Sequence, residues 1–156
     1  MDAEIINPFL IATQSVFKTM LSTQINIGKP SLKTNNLTPG DVTGVMGFAG
    51  DKKGTFTLSF STESAAYIYK SMIGEDASTI NSDVVDAIGE LTNIISGQAR
   101  AEVEKIGIHL DATLRTVVVG QNEAISSITV LPAIALPVSF DDAGTTRQFF
   151  MDFSFE

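Results

Sequence analysis

The order of hydrophobic patterns along the 156 residues predicts an α+β fold, with long helices packed on an antiparallel sheet. Two observations lead there. Segments 3–21 and 82–106 repeat apolar side chains every three or four residues, the period of a helix with one buried face. Shorter segments alternate apolar and polar residues between Gly-, Asn- and Asp-rich turns, the period of a strand, and the elements run helix, hairpin, two helices, meander.

Each element has its own warrant. In the first helix Ile5, Ile6, Phe9, Leu10, Thr13, Phe17, Met20 and Leu21 fall at helical spacing. Strands at 42–49 and 55–60 flank the turn at 50–54, and Phe56, Leu58 and Phe60 alternate with Thr55, Thr57 and Ser59. Ser61 and Thr62 are N-cap types for a short helix over 65–73, which Gly74 closes. Asn81 or Ser82 caps a long helix that continues to Ile106 and stops at Gly107. Strand-like stretches follow near 108–119, 124–131, 133–140 and 146–155, with turns at 120–122 and 141–144. In the last of them Phe149, Met151, Phe153 and Phe155 alternate as on a half-buried strand.

Composition narrows the function. A hydrophobic share of 44% with 18% charged residues is ordinary for a folded chain. At this length about two-thirds of the unfolded surface can be buried without disulfide or metal staples, so a single domain over 1–156 is expected. No cysteine is present, which excludes thiol catalysis and zinc–thiolate or iron–sulfur sites, and a lone His109 argues against a histidine-rich metal site. A net charge of −8 disfavours nucleic acid and anionic membrane surfaces. The start Met1-Asp-Ala-Glu-Ile-Ile-Asn7 lacks a basic signal region and no apolar run reaches the roughly 18 residues of a membrane span, so a soluble cytoplasmic protein is expected. The charge is unevenly placed: residues 1–80 carry seven acids and six bases, residues 81–156 eleven acids and four bases.

The 82–106 helix is the informative segment. At 100° per residue Val84, Ile88, Leu91, Ile95, Ala99 and Ile106 share one sector and form the buried stripe, while Asp86, Glu90, Asn93 and Gly97 fall opposite. Glu90 and Asn93 stand one turn apart, so a carboxylate and a carboxamide project side by side from a rigid element. Gly97 costs about 1 kcal/mol in a helix interior and suggests close approach by another backbone or side chain. Taken alone, these residues also read as an ordinary solvated face. His109 reads as structural or surface, and Asp141-Asp142 beside Ala143-Gly144 as turn residues rather than metal ligands.

The string from Asp86 to Arg100, with Asp, three residues, Glu, two residues and Asn, resembles the signature of the CheC/CheX/FliY chemotaxis phosphatase family. The resemblance covers the whole chain and is closest to CheX-like members. It is carried by Ile6-Asn-Pro-Phe9, Val42-Thr-Gly-Val-Met-Gly47, Gly89-Glu-Leu-Thr-Asn93 and Thr116-Val-Val-Val-Gly120. It implies a CheC-like fold with internal pseudo-duplication. It also implies hydrolysis of the aspartyl phosphate on a CheY-type response regulator, Asn93 positioning the water and Glu90 pairing with the receiver's lysine. Asp86 matches a supporting position, and Gly97 is read as supporting or partner-binding. No cofactor is expected on this chain, Mg²⁺ being expected in the partner receiver, and homodimerisation through sheet edges is implied as well.

Where CheX-like proteins usually have proline before Thr-Val-Val, this chain has Leu114-Arg115, for which a local change at the start of the strand is expected. Glu4 and Asn7, followed by 22 residues and then Pro30, repeat the motif spacing, but Pro8 disfavours helical geometry at Asn7, so the match reads as a trace of duplication rather than a second site. The competing function is a non-catalytic adaptor that binds a receiver or flagellar-switch component through the same face. A small-ligand sensor has no sequence feature behind it.

Overall fold

The computed structural model describes residues 3–125 and 132–155. Its elements are α1 (Ala3–Met20), β1 (Ile25–Ile27), β2 (Ser31–Lys33), β3 (Val42–Gly50), β4 (Gly54–Phe60), α2 (Thr62–Ile73), α3 (Ser82–Lys105), β5 (Leu110–Val119), β6 (Ala133–Asp142) and β7 (Thr145–Phe155). The strands form one antiparallel sheet in the order β1-β6-β7-β4-β3-β5, with β2 also paired to β6.

Local signals set most boundaries. The Ser61 hydroxyl accepts the Ser64 N–H at the start of α2, and Gly74 ends it in the left-handed conformation. Asn81 caps α3 by accepting the Val84 N–H at 2.9 Å. Ala143 and Gly144, both at positive φ, close the tight β6–β7 turn, where Asp141 accepts the Gly144 N–H and Asp142 pairs with Arg147, as turn residues should.

The C-terminal strands do not form the expected meander. β6 and β7 make a hairpin on one side of the sheet, whereas β5 pairs with β3 at the opposite end. The reason is a duplication visible in the topology. The unit α1-β1/β2-β3-β4 is repeated as α3-β5-β6-β7, and the strand order reads the same from either end about the β7–β4 pair. Each unit gives its first strand to the other's edge, while α1 and α3 pack together at the centre. The helices match in register: Ile5, Ile6, Phe9, Thr13 and Phe17 of α1 are buried, and so are Leu91, Thr92, Ile95, Ala99 and Val103 of α3. Strands β1 and β2 escaped the sequence pattern because each is three residues long and Gly28-Lys29-Pro30 lies between them. The strand expected over 124–131 lies, beyond Ile125, outside the described residues.

Helices and sheet enclose the core. Phe9 sits among Phe48, Phe56, Phe153 and Phe155, and Phe17 stacks on Phe149, which in turn meets Phe60 and Phe140. Each such fully buried ring is worth about 2–3 kcal/mol relative to exposure. The half-buried reading of the last strand is corrected: β7 is buried on both faces from Met151 to Phe155, and its neighbour β4 is buried along its whole length. On the Thr/Ser face of β4, Ser59 bonds Thr43 on β3 and accepts the Gly40 N–H from the loop after β2, and Ile125 lines a cavity with Thr55 and Thr57. Ile106, expected in the buried stripe, is 54% exposed because α3 has already ended at Lys105.

Candidate functional site

The exposed side of α3 is positioned by two glycines. Val117 on β5 and Gly44 on β3 are paired in register and both face the helix. A Cβ at Gly44 would fall 2.0 Å from Thr92 Oγ1, and one at Gly89 would fall 3.1 Å from Val117 Cγ2. The absence of these two methyls lets α3 lie directly on β3 and β5. Thr92 turns its hydroxyl back to the Ile88 carbonyl at 2.7 Å and is buried. Glu90, Leu91, Thr92 and Asn93 are therefore fixed as a unit, with Leu91 and Thr92 inward and Glu90 and Asn93 outward.

Glu90 is about half exposed and Asn93 half-buried, one turn further on. The Asn93 carboxamide makes no hydrogen bond among the described residues, so its donor and acceptor are both open to an outside group. Asp86, a turn before Glu90, is exposed and likewise makes no hydrogen bond or ion pair there. Gly97 completes the same side. A Cβ there would meet nothing within 4 Å, which corrects the expectation of a close approach from within the chain. The surface beside it is a shallow depression lined by Arg100, Ala101, Glu104 and His109.

Arg115 belongs to this site and was passed over in the sequence as a mere departure from proline. The β3–β5 register skips Thr113, so the pairing resumes as Gly47 with Leu114 and Met46 with Arg115. The expected change at this strand is thus a bulge. Arg115 stands on the same face as Val117, which underlies Gly89, and its Nη2 lies 3.2 Å from Glu90 Oε2, both side chains 52% exposed. A signal was available: an arginine on a strand beside a helix with an outward glutamate is a candidate counter-ion.

The remaining expectations are placed simply. His109 is exposed and bonds Asp111 at 2.9 Å, a surface role. Glu4 and Asn7 are both exposed on α1, which continues through Pro8, so the proline does not remove Asn7 from the helix as expected. Pro8 is the sixth residue of α1, past the orphan N–H groups of the first turn, so the helix forgoes one i→i−4 bond there. Among the described residues no group of three or more His, Asp or Glu side chains could hold a metal ion, and no helix is long and apolar enough to cross a membrane.

Comparison with known proteins gives a consistent result. The family profile described as chemotaxis phosphatase CheX matches residues 42–139. A Thermotoga maritima protein named CheY-P phosphatase CheX is 31% identical over 140 residues, 89% of each chain. The crystal structure of a CheC-like superfamily protein from Shewanella superposes with a TM-score of 0.85 at 32% identity, over 100% of this chain and 99% of that one. A CheX–CheY–BeF₃–Mg²⁺ complex from Borrelia burgdorferi matches with a TM-score of 0.79 at 25% identity, over 97% of each chain.

Proposed function

The chain belongs to the CheX family of chemotaxis phosphatases, and on that footing we propose that Glu90 and Asn93 are the pair with which it dephosphorylates a CheY-type receiver. The observation that carries the assignment is the pairing of an unengaged carboxamide with an outward carboxylate on a helix held by close glycine contacts.

An aspartyl phosphate is already an activated acyl phosphate, so what a phosphatase must add is a water held in line with the phosphorus. Asn93 holds that water, its carbonyl oxygen accepting a water proton while its NH₂ donates to the water or a phosphoryl oxygen. Glu90 docks the helix by accepting from the receiver's active-site lysine, and a charge-assisted bond there fixes α3 across the phosphate. Mg²⁺ would come with the receiver, in keeping with the Mg²⁺ named in the Borrelia CheX–CheY complex, and would neutralise phosphoryl charge. Asp86 supports the acidic side of the helix. The open space over Gly97 gives clearance for the partner's surface. A cytoplasmic location accords with such a substrate.

A homodimer fits the same architecture. β5 is ten residues long, lies at one end of the sheet, and exposes Leu114 and Val119. The opposite edge is made only of the short β1 and β2. We place the dimer contact at β5, and Leu114→Glu with Val119→Glu, which charge its exposed apolar residues, should leave a monomer by light scattering.

The assignment is tested by following the decay of phosphorylated receiver with wild type, Glu90→Ala and Asn93→Ala. Wild type accelerates the decay and both variants lose most of that acceleration. Equal acceleration by all three would sink the residue assignment, and stoichiometric binding without acceleration would favour the adaptor reading.

A further inference from the structure

Glu90 is not free in the protein by itself. Its Oε2 is held by Arg115, which the close Gly89–Val117 contact brings alongside the helix. We propose that Arg115 is an internal competitor for the docking carboxylate: it occupies Glu90 before encounter and must give way to the receiver's lysine, so it weakens docking and quenches the electrostatic steering that Glu90 would otherwise exert. This rests on the reading of Glu90 as the lysine-docking residue.

A carboxylate about 2.2 Å across cannot accept a lysine on one oxygen and keep a guanidinium on the other without bringing two cations to roughly 5 Å, where they repel. Either the guanidinium is displaced or the lysine docks against that repulsion; both lower affinity. At long range the pair is a dipole rather than a charge, and its field falls off faster than that of a lone carboxylate. Among the described residues no second cation is paired with Glu90, and Arg100, the nearest arginine along α3, is engaged with the Leu110 carbonyl at 2.9 Å. Arg115 thus acts through Glu90, as a positioning residue that sets affinity. Exposed pairs of this kind are weak, which makes the expected effect about two- to fivefold.

The experiment measures KM and kcat for phosphorylated receiver at low and high salt, using Arg115→Gln, Arg115→Lys, Glu90→Gln and the Arg115→Gln/Glu90→Gln double variant. Arg115→Gln should lower KM about two- to fivefold at low salt, with the change in KM rather than kcat, and the gain should shrink as salt screens the exposed carboxylate. Arg115→Lys keeps a cation beside Glu90 and should stay near wild type. The double variant should show no gain over Glu90→Gln alone. A raised KM or a lowered kcat in Arg115→Gln overturns the competition, and so does a gain that survives in the double variant. If Glu90→Gln by itself leaves KM unchanged, the docking role of Glu90 fails, and the inference falls with its premise rather than on its own account.

Discussion

Replacing Gly44 by alanine tests the link between sheet packing and chemistry. The added Cβ would lie 2.0 Å from Thr92 Oγ1 and 2.9 Å from Thr92 Cβ. Thr92 can rotate its hydroxyl away, at the loss of its 2.7 Å bond to the Ile88 carbonyl. Rotation cannot relieve the second contact, because the position of Thr92 Cβ does not depend on χ1. Bringing 2.9 Å to an ordinary contact of about 3.5 Å needs about 0.6 Å of movement between β3 and α3. Overpacking of this kind costs about 1–3 kcal/mol, or a fall in Tm of roughly 3–10 °C for a chain of this size. The same movement carries Glu90 and Asn93 off their positions, and a displacement approaching 1 Å lowers turnover by roughly 10- to 100-fold. Thermal denaturation and single-turnover decay of phosphorylated receiver read the two effects. Wild-type Tm and wild-type turnover in Gly44→Ala would show that α3 is not seated on β3 through this contact.

Two further outcomes are expected. Gly97→Ala should stabilise the fold by about 0.5–1 kcal/mol, since a helical alanine replaces glycine and meets nothing within 4 Å, yet should raise KM if the open space there admits the receiver; a stabilised variant with unchanged KM removes Gly97 from the docking surface. Lys33→Met should destabilise by about 3 kcal/mol near neutral pH, because Lys33 Nζ holds Asp152 Oδ2 at 2.8 Å, Asp152 is 8% exposed, and its other oxygen has no partner. Burial already holds the Asp152 carboxyl above its ordinary range against the pull of Lys33, so its ionised form costs stability above the folded pKa and nothing once both states are protonated. The gap between variant and wild type in chemical denaturation should therefore narrow as pH falls toward about 4, to the pH-independent loss of the Lys33 bond to the Leu37 carbonyl, and a gap that does not narrow would refute the ion-pair account.

Much of the fold was legible because its signals are local. Ser61, Gly74 and Asn81 mark helix ends by their own chemistry, and the strands from Val42 to Phe60 declare themselves by alternation. The sheet order was not legible in the same way. Alternation says that β5, β6 and β7 are strands but not which neighbours they take, and the exchange of first strands between the two units is a long-range choice. The burial of Thr55, Thr57 and Ser59 was hidden for a similar reason, since their cover comes from distant loops. At the site, helical geometry set Glu90 and Asn93 side by side on a single segment, and the family resemblance singled them out from an ordinary solvated face. Arg115 needed the bulge at Thr113 and the Val117–Gly89 contact to reach Glu90, and neither is written in local spacing. Reasoning about glycine chose the wrong residue: Gly97 faces open space, whereas Gly44 and Gly89 carry the packing.

In the proposed mechanism Asn93 serves the reaction rather than the encounter. The most direct test compares Asn93→Ala with wild type in two measurements on one receiver: the affinity for the Mg²⁺- and BeF₃-loaded form, and the single-turnover rate on the phosphorylated form. Loss of a water-positioning group should lower the rate by roughly 10²- to 10³-fold while leaving affinity within about threefold. A variant that binds far more weakly but, once saturated, turns over at the wild-type rate would contradict the account and make Asn93 a docking residue.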